Sequence, residues 1–368
     1  MFPTPDGEGG SELARSSSPA LIPELDDPTI VDATNFYVRD LPYSWDVLVE
    51  NLCDPSHIPF AHHQMMNGAD RYGDVGDQVN MEIVEEGTQG FQARKTPYPT
   101  NLGRYDVEFR PPCLLYYAIV DENASSFLGL GNYCVPVAPG RCRLLARFPF
   151  KLKFQPVNYM IKKTPRWINH FSQNVVLDSD VVFLSMQDQV LSSDDQRTRP
   201  NYFLPAKCDT MVVAFRKWLA SQGQGGLKWL GTPSSSPERS SDGEPTAWLR
   251  PVKVPARSGR DALLDRYRQH TELCSSCRCA HRWLHAIREI CWTVGLGLLC
   301  GSAAAAAKPR PSCRLAPALA LTAAMFLVTP RLFIRPLIQR LECVPWPRTS
   351  WRRPSSKADL RKQKRFSG

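Results

Sequence analysis

The chain has 368 residues, with 45 lysines and arginines against 36 acidic residues and a formal net charge of +9. This length holds one sizeable domain with appendages. The positive excess lies largely after residue 250, beside two apolar stretches, so it indicates membrane-flanking segments and excludes a dedicated nucleic-acid-binding face. The 12 cysteines follow no regular framework, which excludes a small disulfide scaffold.

The first half of the chain begins with a low-hydrophobicity segment and one helix. Residues 1–22 are rich in Pro, Ser, Gly and acidic side chains and predict a disordered N-terminus, too acidic for a typical transit peptide. Ser44 to Cys53 predicts a helix with Ser44 as its N-cap. The stretch from Asn51 to His63 then brings an amide, a carboxylate and three imidazoles close together in sequence.

Neutral imidazoles are the commonest ligands of transition metals, and two of them plus a carboxylate form the site of many non-heme Fe(II) oxygenases. Asn51, Asp54 and His57 would share one stripe of a helix. An unbroken helix would splay His57 and His62 by roughly 140°, so both rings can face one ion only if the helix loosens or ends near Pro59. In the alternative interpretation, Asp54-Pro55 is an ordinary helix start and the histidines are hydrogen-bonded side chains.

The middle of the chain changes to a period of two after a turn-rich loop over residues 68–77. This pattern predicts antiparallel strands at 79–85, 90–95, 105–110, 114–121, 127–136 and 141–150. Helical spacing follows at 157–190 and 208–220. The predicted fold is α+β, an antiparallel sheet with flanking helices that encloses a deep apolar cavity.

The string Glu50-Asn51-x-x-Asp54-x-x-His57-x-x-x-x-His62 resembles the mononuclear-iron motif of Rieske-type oxygenases, in its pheophorbide a oxygenase branch. That branch includes chlorophyllide a oxygenase, a protochlorophyllide oxygenase and a chloroplast translocon-associated member. The resemblance implies a helix-grip catalytic domain at 23–220 with iron on His57 and His62. It also implies that Asp54, with Asn51 beside it, connects this iron to a Rieske cluster on a neighbouring subunit of a homotrimer.

The resemblance implies an aspartate as the third iron ligand, at the start of a helix that runs on to a glutamine. Asp180 fits best, followed by Asp178 and then Asp188. In the alternative interpretation, Asp178 or Asp180 is a helix N-cap.

The C-terminal third begins with a Gly/Ser/Pro-rich linker at 221–259. Cys274 and Cys277 form a C-x-x-C in segment 260–285, which indicates a dithiol switch or half of a zinc site. A zinc site would draw on Cys279, His281 and His285. The resemblance implies redox sensing by Cys274 and Cys277, with thioredoxin as a partner.

Two apolar stretches within 286–340 predict a transmembrane helical hairpin. Ile290 to Ala307 carries no charge, and at about 1.5 Å per residue it spans roughly 27 Å, near the bilayer's apolar thickness. A buried helical hairpin is the alternative. By the positive-inside rule, the basic tail at 341–368 predicts that the tail and the catalytic domain lie on the cytosol-like side, which in a plastid is the stroma.

A Rieske [2Fe–2S] cluster needs a C-x-H and a later C-x-x-H. Met1 to Glu50 contain neither cysteine nor histidine, and no C-x-x-H follows Cys279-Ala280-His281. We therefore expect the cluster-bearing domain of the family to be missing from this chain, most simply by truncation, which would leave it inactive alone.

The resulting hypothesis is the catalytic portion of a monooxygenase that uses O2, mononuclear Fe(II) and a ferredoxin-type electron donor. Its substrate would be a chlorophyll-derived tetrapyrrole, foremost pheophorbide a or a chlorophyllide. It would reside in a chloroplast membrane, either inner envelope or thylakoid, and bind no nucleic acid. The alternative is a non-enzymatic redox-sensing component of an envelope translocon, which would use the C-x-x-C dithiol.

Overall fold

The computed structural model describes residues 20–32, 36–62, 79–95, 102–121, 123, 126–191, 202–221, 263–307 and 315–343. The predicted loop at 68–77 and nearly all of the predicted linker lie outside these residues. The chain divides into two compact units, Met1–Ala286 and Ile287–Gly368.

The first unit is built on a nine-stranded antiparallel sheet in which β9, β7, β6, β5, β4 and β3 are successive neighbours. β1 extends this row beside β9, while β8 pairs with both β7 and β2. The strands are β1 (Val31–Asp32), β2 (Tyr37–Leu41), β3 (Met81–Gly87), β4 (Gly90–Lys95), β5 (Leu102–Arg110), β6 (Leu114–Asp121), β7 (Phe127–Ala138), β8 (Arg141–Arg147) and β9 (Pro149–Lys151).

Tight turns at glycines set the registers of two hairpins. Gly90 adopts φ +104° in the turn between β3 and β4, and Gly140 adopts φ +67° between β7 and β8. A side chain at either position would be strained, since non-glycine residues rarely adopt positive φ. The predicted strands at 90–95 and 114–121 are confirmed in full, and the predicted strand at 141–150 divides at Phe148 into β8 and β9.

The sequence reading missed the two N-terminal strands. β2 pairs antiparallel with β8 through five registered residues, from Tyr37↔Ala146 to Leu41↔Cys142. Buried and half-buried residues alternate along β2, but the buried residue in the middle of the strand is the charged Arg39. A charged residue at an inward position hides the usual period-two signal. The predicted disordered segment also ends too late, because Ile22 is buried against Leu114 and Tyr116.

The helices of the first unit cover the sheet. They are α1 (Trp45–Cys53), α2 (Ile58–Ala61), α3 (Gln155–Lys163), α4 (Arg166–Val190), α5 (Thr210–Ser221) and the first part of α6 (Ser275–Ala306). The helical region predicted at 157–190 is two helices, because Thr164 turns to extended backbone before Pro165. Phe109 of β5 packs edge-on against Phe215 and Trp218 of α5 at 5.3 and 5.0 Å between ring centroids.

The C-x-x-C segment belongs to the first unit. Arg266, His270 and Cys277 are each at most 1% exposed. The peptide N–H of Cys274 donates to the carbonyl of His270 at 2.9 Å, immediately before α6 begins. The segment therefore returns to the sheet-bearing unit after the linker.

The second unit contains the rest of α6, then α7 (Leu315–Thr329), a π-helical turn at Pro330–Ile334 and α8 (Arg335–Glu342). Ser302 Oγ donates to the carbonyl of Ala316 at 2.7 Å, and a side chain at Gly295 would collide with Leu327. Two described helical spans, Ser275–Ala306 and Leu315–Glu342, are long and apolar enough to cross a membrane, with 22% and 17% of their most apolar windows buried. These spans are less buried than the helices of a hairpin inside a protein core would be. Length and composition alone are weak support for a membrane anchor.

Candidate metal centre

The backbone between α1 and His62 brings two histidine rings together. α1 ends at Cys53, Asp54 adopts a non-helical conformation, and a 3₁₀ turn over Pro55–His57 leads directly into α2. The rings of His57 and His62 lie 5.2 Å apart between centroids. The predicted loosening of the helix near Pro59 is not observed: α1 ends before both histidines, and Pro59 lies in the first turn of α2. His57 lies instead in the tighter 3₁₀ turn, and His62 directly follows α2.

The structure brings Asp180 of α4 to the same place. The candidate ligand atoms of His57, His62 and Asp180 all lie within 4.8 Å of one another. His62 Nε2 is 3.5 Å from Asp180 Oδ2, and both side chains are at most 4% exposed. The three residues have the composition of a 2-His-1-carboxylate iron site.

Hydrogen bonds fix the ring tautomers that metal binding requires. The Ser179 hydroxyl donates to the carbonyl of Val176 at 2.6 Å, so its oxygen accepts from His62 Nδ1–H at 2.8 Å. His57 Nδ1–H donates to the carbonyl of Asp54. Both Nε2 atoms therefore carry a lone pair, as in metal sites whose outer partners hold the ligand rings.

Burial keeps the charged forms of these groups unfavourable. It lowers the pKa of His62 to about 4, with a further contribution from His57, and raises the pKa of Asp180 to about 8. Burial also lowers the pKa of His57. The short contact between His62 and Asp180 is therefore not an ion pair, because a protonated imidazole is disfavoured there.

One carboxylate oxygen supports the fit of a cation. Within the described part of the chain, Asp180 Oδ1 is buried and has no hydrogen-bond partner. An unpaired buried carboxylate oxygen is costly, and a bound cation would satisfy it. The residues present thus fit a divalent iron ion.

The two other aspartate candidates are placed differently. Asp178 points to Arg39, at 2.7 Å from Arg39 Nη2, and to Arg266, and all three side chains are at most 7% exposed. Asp188 is buried further along α4, outside the cluster formed with the histidines. The helix-cap interpretation of Asp178 and Asp180 is wrong, as is the expectation of a helix starting at the ligand, because α4 begins at Arg166.

Asp54 contacts the centre through its backbone. Its carboxylate accepts from the Ser56 amide at 3.0 Å and caps the 3₁₀ turn, while its carbonyl accepts from His57. The carbonyl of Asn51 accepts from the Asp54 amide at 3.2 Å. Asp54 therefore caps a helical turn, as in the helix-start interpretation, and its backbone carbonyl also contacts His57 directly.

A buried hydrogen-bonded cluster around Glu50, the first residue of the motif, was not predicted. The carboxylate of Glu50 accepts from Arg216, from the Tyr202 hydroxyl at 3.1 Å and from Gln187 Nε2 at 3.3 Å. Burial raises the pKa of Glu50 despite the hydrogen bond from Arg216. These hydrogen bonds tie α1 to α4 and α5.

The C-x-x-C lies at a second cluster that the sequence reading also missed. Candidate ligand atoms of His170, His270, Cys274 and Cys277 all lie within 4.8 Å of one another, and all four residues are buried. Cys274 Sγ and Cys277 Sγ are each 3.5 Å from His170 Nδ1. Cys279, predicted as a zinc ligand, is instead exposed and outside this cluster.

Comparisons with known proteins agree with the motif. The family model described as "Pheophorbide a oxygenase" matches residues 109–198. Pheophorbide a oxygenase of Arabidopsis thaliana is 30% identical over 310 residues, 78% of this chain and 53% of the relative. Protochlorophyllide-dependent translocon component 52 of the same plant is 28% identical over 321 residues, 76% of this chain and 53% of the relative.

A third relative carries a different kind of name. Flavonoid 8-hydroxylase 2 of Ocimum basilicum is 29% identical over 297 residues, 75% of this chain and 51% of the relative. The chain spans about half the length of these curated relatives. Among solved structures, dicamba monooxygenase bound to dicamba is similar at 13% identity and a TM-score of 0.41, over 56% of this chain and 62% of that chain.

These matches define the class as proteins related to chloroplast oxygenases. They support the resemblance to the pheophorbide a oxygenase family that the iron motif indicates.

Proposed function

We propose that this chain is the catalytic portion of a Rieske-type monooxygenase, with His57, His62 and Asp180 holding a mononuclear Fe(II). The observation that carries the proposal is the convergence of these three side chains, of which His57 is half-buried and the other two are buried, with their ligand atoms within 4.8 Å. Fe(II) held by these three residues would supply dioxygen activation.

The protein's own residues hold this centre ready. Ser179 and the Asp54 carbonyl fix the two imidazoles with Nε2 available. The buried pair between Asp178 and Arg39 fixes α4 two residues before Asp180. Preorganised ligands of this kind lower the cost of arranging the site when the metal binds.

Electrons would come to this centre through Asp54, from a [2Fe–2S] Rieske cluster on a neighbouring subunit of a trimer and a ferredoxin-type donor beyond it. The position of Asp54 supports this assignment, since the residue is half-buried and its backbone carbonyl accepts a hydrogen bond from His57. An iron-binding histidine is usually held by such an outer partner.

The substrate we propose is a chlorophyll-derived tetrapyrrole, foremost pheophorbide a or a chlorophyllide. Relatives at nearly equal identity carry the names pheophorbide a oxygenase and flavonoid 8-hydroxylase. The substrate test must therefore compare these two chemical classes. The names of these relatives and the two apolar spans also support a chloroplast membrane location, with the first unit in the stroma.

A binding experiment tests this function without any electron donor. The full chain in detergent is loaded with Fe(II) under anaerobic conditions, and nitric oxide is added as a dioxygen surrogate that reports by electron paramagnetic resonance. We expect pheophorbide a to change the iron–nitrosyl spectrum saturably, and a flavonoid to leave it unchanged. A saturable effect of the flavonoid alone would contradict the tetrapyrrole assignment, and absence of any nitrosyl signal would contradict the iron assignment.

The second candidate is the redox-sensing translocon component, supported by the name of one relative. Hydrogen bonds that the Cys274 sulfur accepts from Cys277 and from His170 lower the pKa of Cys274 to about 3, which favours a thiolate. Thiol exchange also needs access, whereas Cys274 and Cys277 are only 5% and 0% exposed. A Cys274→Ser variant separates the candidates: an oxygenase keeps the substrate-dependent nitrosyl spectrum, whereas a sensor loses its redox response.

A further inference from the structure

We infer that His170, His270, Cys274 and Cys277 form a structural zinc site that fastens the C-x-x-C segment to the catalytic domain. The four residues come from two distant parts of the chain, since His170 lies on α4 and the other three lie at 270–277. All four side chains are buried, and their candidate ligand atoms lie within 4.8 Å of one another.

The observed spacing matches coordination around a single ion. Zinc binds sulfur at about 2.3 Å and nitrogen at about 2.0–2.1 Å, so a tetrahedral site separates a sulfur from a nitrogen by about 3.6 Å. The three measured sulfur–nitrogen distances in this cluster are 3.5, 3.5 and 3.3 Å. These three sulfur–nitrogen distances therefore lie within a few tenths of an ångström of tetrahedral spacing, and the remaining donor pairs are at most 4.8 Å apart.

The orientation of His270 is that of a metal ligand. Its Nδ1–H donates to the carbonyl of Val38 on β2 at 2.6 Å, which leaves the lone pair of Nε2 directed toward Cys277 Sγ. Backbone carbonyls commonly hold zinc-bound histidines in this way. The ring of Tyr37 stacks on His270 and meets His170 edge-on, with centroids at 4.7 and 5.2 Å.

The four donor atoms favour a single zinc ion over a Rieske cluster. Two thiolates and two imidazoles from the protein close a tetrahedral site with no position for substrate, the pattern of structural zinc. A Rieske cluster places its cysteines on one iron and its histidines on another. Sulfur–nitrogen distances of 3.3–3.5 Å are too short for two irons between the donors.

The site would stabilise the region that carries the iron ligands. His170 and Asp180 are on the same helix, α4. Asp178 of this helix pairs with Arg39 of β2 and with Arg266 of the 263–277 segment. Metal bound at the C-x-x-C would thus fix α4 from its N-terminal half. Zinc at this position would also protect both thiols from oxidation, because a coordinated thiolate is not free to form a disulfide.

Metal analysis of the full chain tests the inference. The protein is purified in detergent without chelators, and zinc per chain is measured by inductively coupled plasma mass spectrometry. We expect about one zinc per chain in the wild type and background zinc in Cys277→Ser and His270→Ala. Cys279→Ser is the matched control, since this exposed thiol lies on the same helix outside the cluster, and it should retain the zinc.

Cobalt substitution of the wild type keeps the inference testable if the variants do not fold. Cobalt(II) should give thiolate charge-transfer absorption and the intense visible bands of tetrahedral coordination. His57→Ala should leave the zinc content unchanged, since that residue belongs to the other cluster. A zinc-free wild type with a Cys274–Cys277 disulfide, equal zinc loss in Cys279→Ser, or acid-labile sulfide held by these cysteines would overturn the inference.

Discussion

Replacing Asp178 with Asn should destabilise the first unit without removing the proposed iron site. Asp178 is a buried carboxylate between two buried guanidinium groups, with side-chain exposures of 7% for Asp178, 0% for Arg39 and 1% for Arg266. Removing one partner of a buried ion pair costs about 3–5 kcal/mol, because the remaining charge loses its compensation. Asn keeps one acceptor oxygen, and Arg39 keeps Gln269 as an acceptor at 2.8 Å, so we expect about 3 kcal/mol.

That loss corresponds to a decrease in Tm of about 6–12 °C for a unit of this size. The assay is thermal unfolding in detergent, followed by tryptophan fluorescence at one scan rate. Asp265→Asn is the matched control, because Asp265 is 32% exposed and its partner Arg268 is 82% exposed. An exposed pair of this kind contributes less than about 1 kcal/mol.

A Tm of Asp178→Asn within about 1 °C of the wild type would contradict this prediction. The prediction would also be refuted if the variant lost its iron at a temperature where it remains folded. The first result would show that the two arginines do not depend on Asp178. The second would make Asp178, and not Asp180, the iron ligand.

Two further substitutions test the sheet and its core by the same thermal assay. Gly90→Ala should cost about 2–4 kcal/mol of stability, because a Cβ at φ +104° would collide with the Phe109 carbonyl. Gly87→Ala is the control: no atom lies within 4 Å of the added Cβ, so the cost should be less than about 1 kcal/mol. Phe109→Ala should cost about 3–5 kcal/mol, since the ring is fully buried. Phe154→Ala, at 66% exposure, should change stability by less than about 0.5 kcal/mol. Equal effects within either pair would contradict the packing described.

The strands with regular alternation and glycine turns could be predicted from the sequence. β4 and β6 have the predicted bounds because Gly90 and the apolar run from Leu114 mark their starts. β2 could not be predicted, because its buried Arg39 is stabilised by Asp178 and Gln269 from distant segments. Local periodicity carries no information about such partners.

The two metal clusters differ in how far the sequence could predict them. His57 and His62 are close in sequence, so the motif alone could pair them, although the structure joins them by a 3₁₀ turn and a short helix without the predicted break near Pro59. Asp180 was chosen only by resemblance to a family, and the structure now places it beside His62. His170 lies 104 residues before Cys274, so no motif could connect it with the C-x-x-C. The buried face of α4 around His170 also carries Asn174 and Asp178, so the histidine did not stand out on that helix.

The most direct test of the central claim is iron per chain in Asp180→Asn beside Asp188→Asn. Both residues are buried on α4 and receive the same substitution, but only Asp180 lies with the two histidines. After anaerobic loading with Fe(II) and removal of free metal, we predict about one iron per chain in the wild type and in Asp188→Asn, and background iron in Asp180→Asn. Stoichiometric iron in folded Asp180→Asn, or iron loss confined to Asp188→Asn, would contradict the assignment of His57, His62 and Asp180 as the catalytic iron site.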